Sequence, residues 1–321
     1  MNREKIKQLK VALLTGGWSD EREISLSSGK ACHKALTDAG FTNVDLIDVA
    51  EDGFLSRMEQ SAYDVAFIAM HGPYGEDGCI QGLLEILHIP YTGSAVLATA
   101  IAAEKQIAKD VFRRSNIPTP EEILLIKGDE INPETIIETL GLPLFIKPSS
   151  NGSSYGVTKV TEASQMREAV ELAWESSEVA LVESCIEGME ISVPVIGNQD
   201  AFALPIIEIV TGAEFYDLKV KYEPSHLHHV IPARLDEEIY RHAQELAVKA
   251  HKALDCRGMS RSDFIIDAEG TPYILETNTI PGMTEASLMP DSARHAGIEF
   301  PELCTRFIEM ALENTDEDKS E

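Results

Sequence analysis

The sequence predicts a mixed fold, a parallel α/β domain at the N-terminus followed by two modules of α+β character. Three observations predict it. Over about residues 1–100, short apolar runs alternate with helical patterns, which is the signature of βαβ units. The segment Asn116-Ile-Pro118-Thr-Pro120 then breaks that alternation. Beyond it, apolar runs come in neighbouring pairs joined by short turns, as hairpins require.

Val11-Ala-Leu-Leu14 ends at Thr15-Gly16-Gly17 and reads as a buried parallel strand with its turn. A helical pattern covers 24–39 and stops at Gly40, a residue suited to the left-handed helix C-terminus. Runs at 44–49 and 65–70 predict two further strands, and 79–87 a helix. The stretch 96–114 predicts one helix, ended by the two prolines. A strand at 144–148, a loop at 149–156 and a returning strand at 157–160 follow. Next come a helix at 164–174 and a strand at 179–183. The last third predicts strands at 191–195 and 203–209, a helix over 236–254, and a hairpin of 262–267 with 272–276. There is no internal repeat. The charged tail, 315–321, is expected to fray. The expected division of the chain is 1–100, 101–190 and 191–321.

At 321 residues the chain can support two or three cores. Its 54 acidic side chains against 27 basic ones give a net charge of -27. That balance argues against nucleic acid, which needs a basic face. It does not exclude a single nucleotide, because a few local cations and a metal can hold one. The acid excess reads as a solvation device, with adaptation to a salty habitat as the alternative. The first apolar run is too short for a signal peptide or a membrane span, so the expectation is a cytoplasmic protein with no membrane partner. Five scattered cysteines, with no C-x-x-C pair, fit reduced thiols.

The hairpin carries the densest chemistry. If Asp267 faces Pro272 across the four-residue loop, Asp263 faces Glu276 and Arg261 faces Asn278. All four side chains then share one face of the sheet. Two carboxylates and an amide oxygen are hard ligands and suit Mg²⁺, which leaves room for phosphate. A plainer reading has Glu276 and Asn278 ending a strand and Asp263 in a salt bridge, and the hairpin alone leaves both open. Ser149-Ser-Asn-Gly152-Ser-Ser-Tyr-Gly156 could cradle phosphate with its backbone N–H groups, or be an ordinary hairpin loop. Lys147 stands just before it. Glu21 follows the first strand's turn and His71 follows another strand, so both fall at the carboxyl edge of the parallel sheet, where such folds bind ligands. His226, His228 and His229 read as a solvated loop rather than a metal site.

Taken in order, these stretches resemble the D-alanine–D-alanine ligases of the ATP-grasp superfamily. The resemblance runs from about Val11 to Phe307. It is carried by Gly16-Gly-Trp-Ser-Asp-Glu21-Arg-Glu-Ile-Ser25, His71-Gly-Pro-Tyr-Gly-Glu-Asp-Gly78, Lys147-Pro-Ser-Ser-Asn-Gly-Ser-Ser154, Phe215-Tyr-Asp217, Lys221-Tyr222, Arg261-Ser-Asp263 and Glu276-Thr-Asn-Thr-Ile-Pro-Gly-Met-Thr284. It implies an N-terminal substrate-binding domain and a two-module ATP-grasp fold, with the metal and catalytic residues in the last module. It implies ATP as co-substrate, two Mg²⁺ ions with Mn²⁺ as a substitute, two molecules of D-alanine as substrates, and a homodimer. Glu21 would hold the first D-alanine's amino group, with His71 close by. Lys105 and Lys147 would contact phosphates, Lys221 and Gly152, Ser153 and Ser154 the γ-phosphate. Glu183, Ile186, Glu190 and Phe215 would line the adenosine pocket, and Tyr222 would lie near the substrate. Asp263, Glu276 and Asn278 would hold the metals. Arg261 and the Gly282 backbone would meet the oxyanion, and Ser287 with Leu288 would receive the second D-alanine. One departure is Ser184, where the family often has Lys. Two competing readings remain, a ligase taking another amino or hydroxy acid in second place and a nucleotide-binding regulator without turnover.

Overall fold

A computed structural model describes residues 2–150, 156–211 and 227–317, without the side chains of 211, 227, 228 and 314–317. The first part contains α1 (Arg3–Ile6), β1 (Val11–Thr15), α2 (Arg22–Asp38), β2 (Val44–Asp48), α3 (Phe54–Gln60), β3 (Val65–Ile68) and α4 (Cys79–Ile86). The strands form the expected parallel sheet in the order β2-β1-β3. β1 and β3 are apolar along their length because both of their faces are covered. Leu13 and Phe67 pack beneath Cys32 and Leu36 of α2, while Leu14 and Ile68 face Met58 and Leu84 on the other side.

The helix predicted over 96–114 is two helices, α5 (Val96–Ala103) and α6 (Lys105–Arg114). Glu104 leaves helical geometry at φ -100 and ψ 95. There it forms an isolated antiparallel bridge to Ser150, and the Lys105 N–H donates to the Ser149 carbonyl at 3.0 Å. A tertiary hydrogen bond thus takes the backbone away from a helix that local propensity would have continued.

The next unit adds β4 (Glu122–Ile126), α7 (Pro133–Leu140), β5 (Leu144–Pro148), β6 (Thr158–Val160), α8 (Met166–Ala173) and β7 (Val179–Ser184). Sequence reading missed β4 and α7. β4 is an edge strand with Leu124 and Ile126 exposed, so no half-buried alternation marks it. α7 does carry a start signal, Asn132 followed by Pro133, and the Asn132 Oδ1 accepts from the Thr135 N–H at 3.1 Å. The antiparallel order is β4-β7-β5-β6, with α8 packing Met166 and Val170 on Leu144, Ile146 and Val182.

The last unit contains β8 (Met189–Ile196), β9 (Phe202–Ala203), β10 (Ile207–Thr211), β11 (Leu227–Val230), α9 (Glu237–Ala253), β12 (Met259–Ile266), β13 (Pro272–Asn278), α10 (Leu288–His295) and α11 (Phe300–Glu317). Its sheet runs β11-β10-β8-β12-β13, with β9 beside β8. Ala243, Ala247 and Ala250 of α9 and Phe112 of α6 cover Val193, Phe264 and Ile274. α11 returns to the N-terminal unit, where Leu303 and Phe307 join Cys32 and Leu36. It is helical through Glu317, so residues 315–317 of the charged tail continue the helix.

The expected hairpin register holds at the site but not for the expected reason. Ile266, not Asp267, faces Pro272. A bulge between Asp263 and Phe264 lets β13 gain one residue, Leu275, and this brings Asp263 opposite Glu276 and Arg261 opposite Asn278.

Candidate active site

The three units meet at one large cleft, with a cavity volume of about 1620 Å³. Its N-terminal wall is built on the Gly16-Gly17 turn. Gly16 has φ +74, and a Cβ there would lie 2.2 Å from Asp48 Oδ1. Arg22 pairs with that Asp48 carboxylate and donates to the Gly17 carbonyl at 2.8 Å, so the turn that leads to Glu21 is fixed from both sides. Arg22 holds the Asp48 carboxyl below its ordinary range. Glu21 stands at the start of α2 and lines the cleft.

His71 follows β3 and is buried at 4% exposure. Its Nε2 lies 3.0 Å from Ser28 Oγ, and its Nδ1 lies 3.7 Å from Glu76 Oε1. Ser28 Oγ also accepts from the Met283 N–H at 3.3 Å. Ser28 was not singled out from the sequence, yet it links His71 to the segment that carries Gly282. On that segment, Ser287 Oγ accepts from the Thr284 N–H at 3.0 Å and lies 2.7 Å from Thr284 Oγ1. Ser287 precedes α10, which begins at Leu288, and Gly282, Ser287 and Leu288 all line the cleft.

The hairpin contributes the floor. Arg261 grips Asp263 through a fork, Nε to Oδ1 at 3.1 Å and Nη2 to Oδ2 at 2.8 Å. Ser192 on β8 donates to Asp263 Oδ1 at 2.5 Å. Lys105 Nζ lies 3.2 Å from Glu276 Oε2, and Asn278 lines the cleft on the same face. Among the described residues no group of three His, Cys, Asp or Glu side chains could hold a metal. Asp263, Glu276 and Asn278 form a different kind of set, two acids and an amide oxygen. That set fits a hard divalent cation whose other ligands are phosphate and water. Each acid already faces a cation, so a bound metal would replace positive charge that is in place.

The opposite wall belongs to the β4-β7-β5-β6 sheet. Lys147 Nζ lies 2.7 Å from Glu183 Oε2. Glu183 lines the cleft, but its carboxylate is held from behind by Lys109 as well. Burial alone would raise the Glu183 carboxyl, but Lys147 and Lys109 outweigh it and hold it below its usual range. Ile186 and Glu190 also line the cleft. Ser184 pairs with the strand edge, its N–H donating to the Glu121 carbonyl at 2.9 Å. Gly152, Ser153, Ser154, Phe215, Lys221 and Tyr222 lie outside the described residues, as does His226. His228 and His229 lie on β11, paired with β10, rather than in a loop, and His229 lines the cleft.

Residues 48–94 match the family model "D-ala D-ala ligase N-terminus", and residues 111–309 match "D-ala D-ala ligase C-terminus". The D-alanine–D-alanine ligase of Pelotomaculum thermopropionicum is 46% identical over 312 residues, spanning 95% of this chain and 98% of that one. That of Desulforamulus reducens is 45% identical over 312 residues, spanning 95% and 99%. A solved structure of the Bacillus anthracis D-alanine–D-alanine ligase complexed with ATP superposes with a TM-score of 0.84 at 33% identity, covering 97% of this chain and 99% of that chain. The fold and the cleft between its two antiparallel sheets are those of an ATP-grasp ligase, so the chain is an enzyme of that class. Within the class it belongs to the D-alanine–D-alanine ligase family.

Proposed function

We propose that this enzyme joins two molecules of D-alanine into D-alanyl-D-alanine, converting ATP to ADP and phosphate and supplying a peptidoglycan precursor. The observation that carries the reading is that one cleft gathers an anionic group for an amine, Glu21, lysines for phosphates, Lys105 and Lys147, and an arginine beside paired acids, Arg261 with Asp263 and Glu276. The relative solved with ATP supports the nucleotide assignment.

In this reading Glu21, with His71 nearby, receives the ammonium of the first D-alanine and turns its carboxylate toward the γ-phosphate. A carboxylate oxygen attacks phosphorus, ADP leaves, and an acyl phosphate forms. The amine of the second D-alanine, received at Ser287 and Leu288, then attacks the acyl carbon. The C–O bond to phosphate breaks as the peptide bond forms, and the proton lost by the amine nitrogen is balanced in the hydrogen phosphate released. Arg261 and the Gly282 N–H meet the charge that develops on the carbonyl oxygen. Lys105 and Lys147 balance the phosphates, and Glu183, Ile186 and Glu190 border the adenosine. Asp263, Glu276 and Asn278 would hold two Mg²⁺ ions, which when bound supply charge neutralisation for the transferring phosphoryl group. Gly152, Ser153, Ser154, Phe215, Lys221 and Tyr222 join this scheme on their sequence positions. No nucleophilic side chain is required.

The same reading divides the chain into a substrate domain at 1–100 and two nucleotide-clamping modules at 101–190 and 191–321, with Phe112 of the second reaching into the core of the third. It places the enzyme in the cytoplasm as a homodimer. No helix among the described residues is long and apolar enough to cross a membrane. The test is phosphate release from ATP with a panel of D-amino and D-hydroxy acids. Release that requires D-alanine and yields D-alanyl-D-alanine supports the reading. Release unaffected by D-alanine, or no release with any member of the panel, refutes it.

A further inference from the structure

We propose that Lys109 is a positioning residue of the nucleotide site: it carries the charge balance of Glu183 so that the Lys147 ammonium is free to move to a phosphate of ATP. The proposal rests on the reading that this cleft binds ATP.

Lys109 lies one turn after Lys105 on the same face of α6. Its side chain is fully buried, with 0% exposure, so it touches no ligand itself. Its Nζ contacts Glu183 Oε1 and lies 2.7 Å from Glu122 Oε2. Those two carboxylates face each other directly across β4 and β7, an arrangement that repels unless a cation lies between them. Arg113, one turn further along α6, takes the other oxygen of Glu122. Lys147 takes the other oxygen of Glu183 at 2.7 Å.

Three cations thus serve these two carboxylates, with Arg113 also bonded to Asp110 at 2.8 Å. Of the three, Lys147 is the one whose side chain borders the cleft. If Lys147 turns to a phosphate, Glu183 keeps Lys109 and Glu122 keeps Arg113. If Lys109 is removed, Lys147 becomes the one remaining ammonium on a carboxylate whose side chain is 4% exposed. A buried carboxylate left with a single counter-ion holds it tightly. ATP must then bind without Lys147 or leave Glu183 uncompensated in the wall of the nucleotide site. A purely structural ion pair would weaken the whole pocket, whereas this arrangement predicts a defect confined to the phosphates.

Titration calorimetry on the full-length protein separates the two. ATP with Mg²⁺ and, separately, adenosine are titrated into wild type and Lys109→Met. The expected result is ATP affinity lower by about 10- to 100-fold, the size of a strong two-site coupling, with adenosine affinity unchanged. In Lys109→Met/Glu183→Gln the amide no longer retains Lys147, so ATP affinity returns to that of Glu183→Gln alone. Equal weakening of ATP and adenosine, no weakening of either, or a double variant that binds ATP more weakly than Glu183→Gln overturns the proposal. If Lys109→Met alone does not fold, the comparison of the double variant with Glu183→Gln decides. A wild type that binds no ATP refutes the reading of the cleft itself, whereas normal binding with an unaffected Lys109→Met refutes only the role of Lys109.

Discussion

Ser28→Ala removes one hydroxyl, and with it the partner of two buried groups. Ser28 is fully buried, and its Oγ meets His71 Nε2 at 3.0 Å and the Met283 N–H at 3.3 Å. Both partners are buried, so alanine leaves two polar groups with nothing to replace the hydroxyl. Leaving one buried group unsatisfied costs about 1–3 kcal/mol. The bond to Met283 is long, so its share falls at the low end and the sum is about 2–4 kcal/mol. The loss is not confined to one unit, because His71 lies on the N-terminal sheet and Met283 on the segment after β13. The variant should therefore lose stability in urea unfolding by that amount, and its KM for D-alanine should rise because His71 is no longer fixed beside Glu21. KM for ATP should not change. A Ser28→Ala protein within about 0.5 kcal/mol of wild type, with an unchanged KM for D-alanine, would refute this reasoning.

The same geometry predicts other outcomes. Glu276→Gln should raise the Mg²⁺ concentration needed for half-maximal turnover. Arg261→Ala should lower turnover by about 10²–10³, the usual loss of an oxyanion donor, without raising that requirement. Mg²⁺ titrations at saturating ATP and D-alanine compare the two, and equal midpoint shifts would contradict the division of roles. Burial lowers the pKa of His251 from 6.5 to about 4, so the folded state favours the neutral ring. Its contribution is complete above pH 6.5 and lost as pH falls toward 4, about 3 kcal/mol in all. Unfolding free energies across that window should show this decline, and His251→Gln should flatten it. Competition between D-alanine and D-lactate at neutral pH should give mainly the dipeptide, and Tyr222→Phe should admit more D-lactate. A wild type that makes mainly D-alanyl-D-lactate would contradict that reading.

The parallel sheet was legible because β1 and β3 are buried on both faces and therefore read as unbroken apolar runs. The face shared by Arg261, Asp263, Glu276 and Asn278 was legible because side chains alternate along strands. The bulge at Leu275 was not legible, since nothing local distinguishes Leu275 from its neighbours, and the correct pairing came from an incorrect start at the turn. The break at Glu104 was hidden because its cause is the end of β5, some forty-five residues away. Lys109 was passed over because a lysine in an amphipathic helix reads as a solvent residue. Only the fold shows two acids from β4 and β7 closing over it. Ser28 was hidden in the polar run Ser25-Leu-Ser-Ser28, which reads as an ordinary helix surface. For Glu104, Lys109 and Ser28 the missing information was a contact with a residue distant in the sequence.

The central claim is that a carboxylate oxygen of the first D-alanine attacks phosphorus and leaves with phosphate when the second amine displaces it. D-Alanine labelled with ¹⁸O in both carboxyl oxygens, incubated with ATP, Mg²⁺ and the enzyme, tests this directly. The account predicts that the inorganic phosphate released during dipeptide formation carries one ¹⁸O atom, read by mass spectrometry, and that the new peptide carbonyl keeps the other. Dipeptide formed with unlabelled phosphate would contradict it.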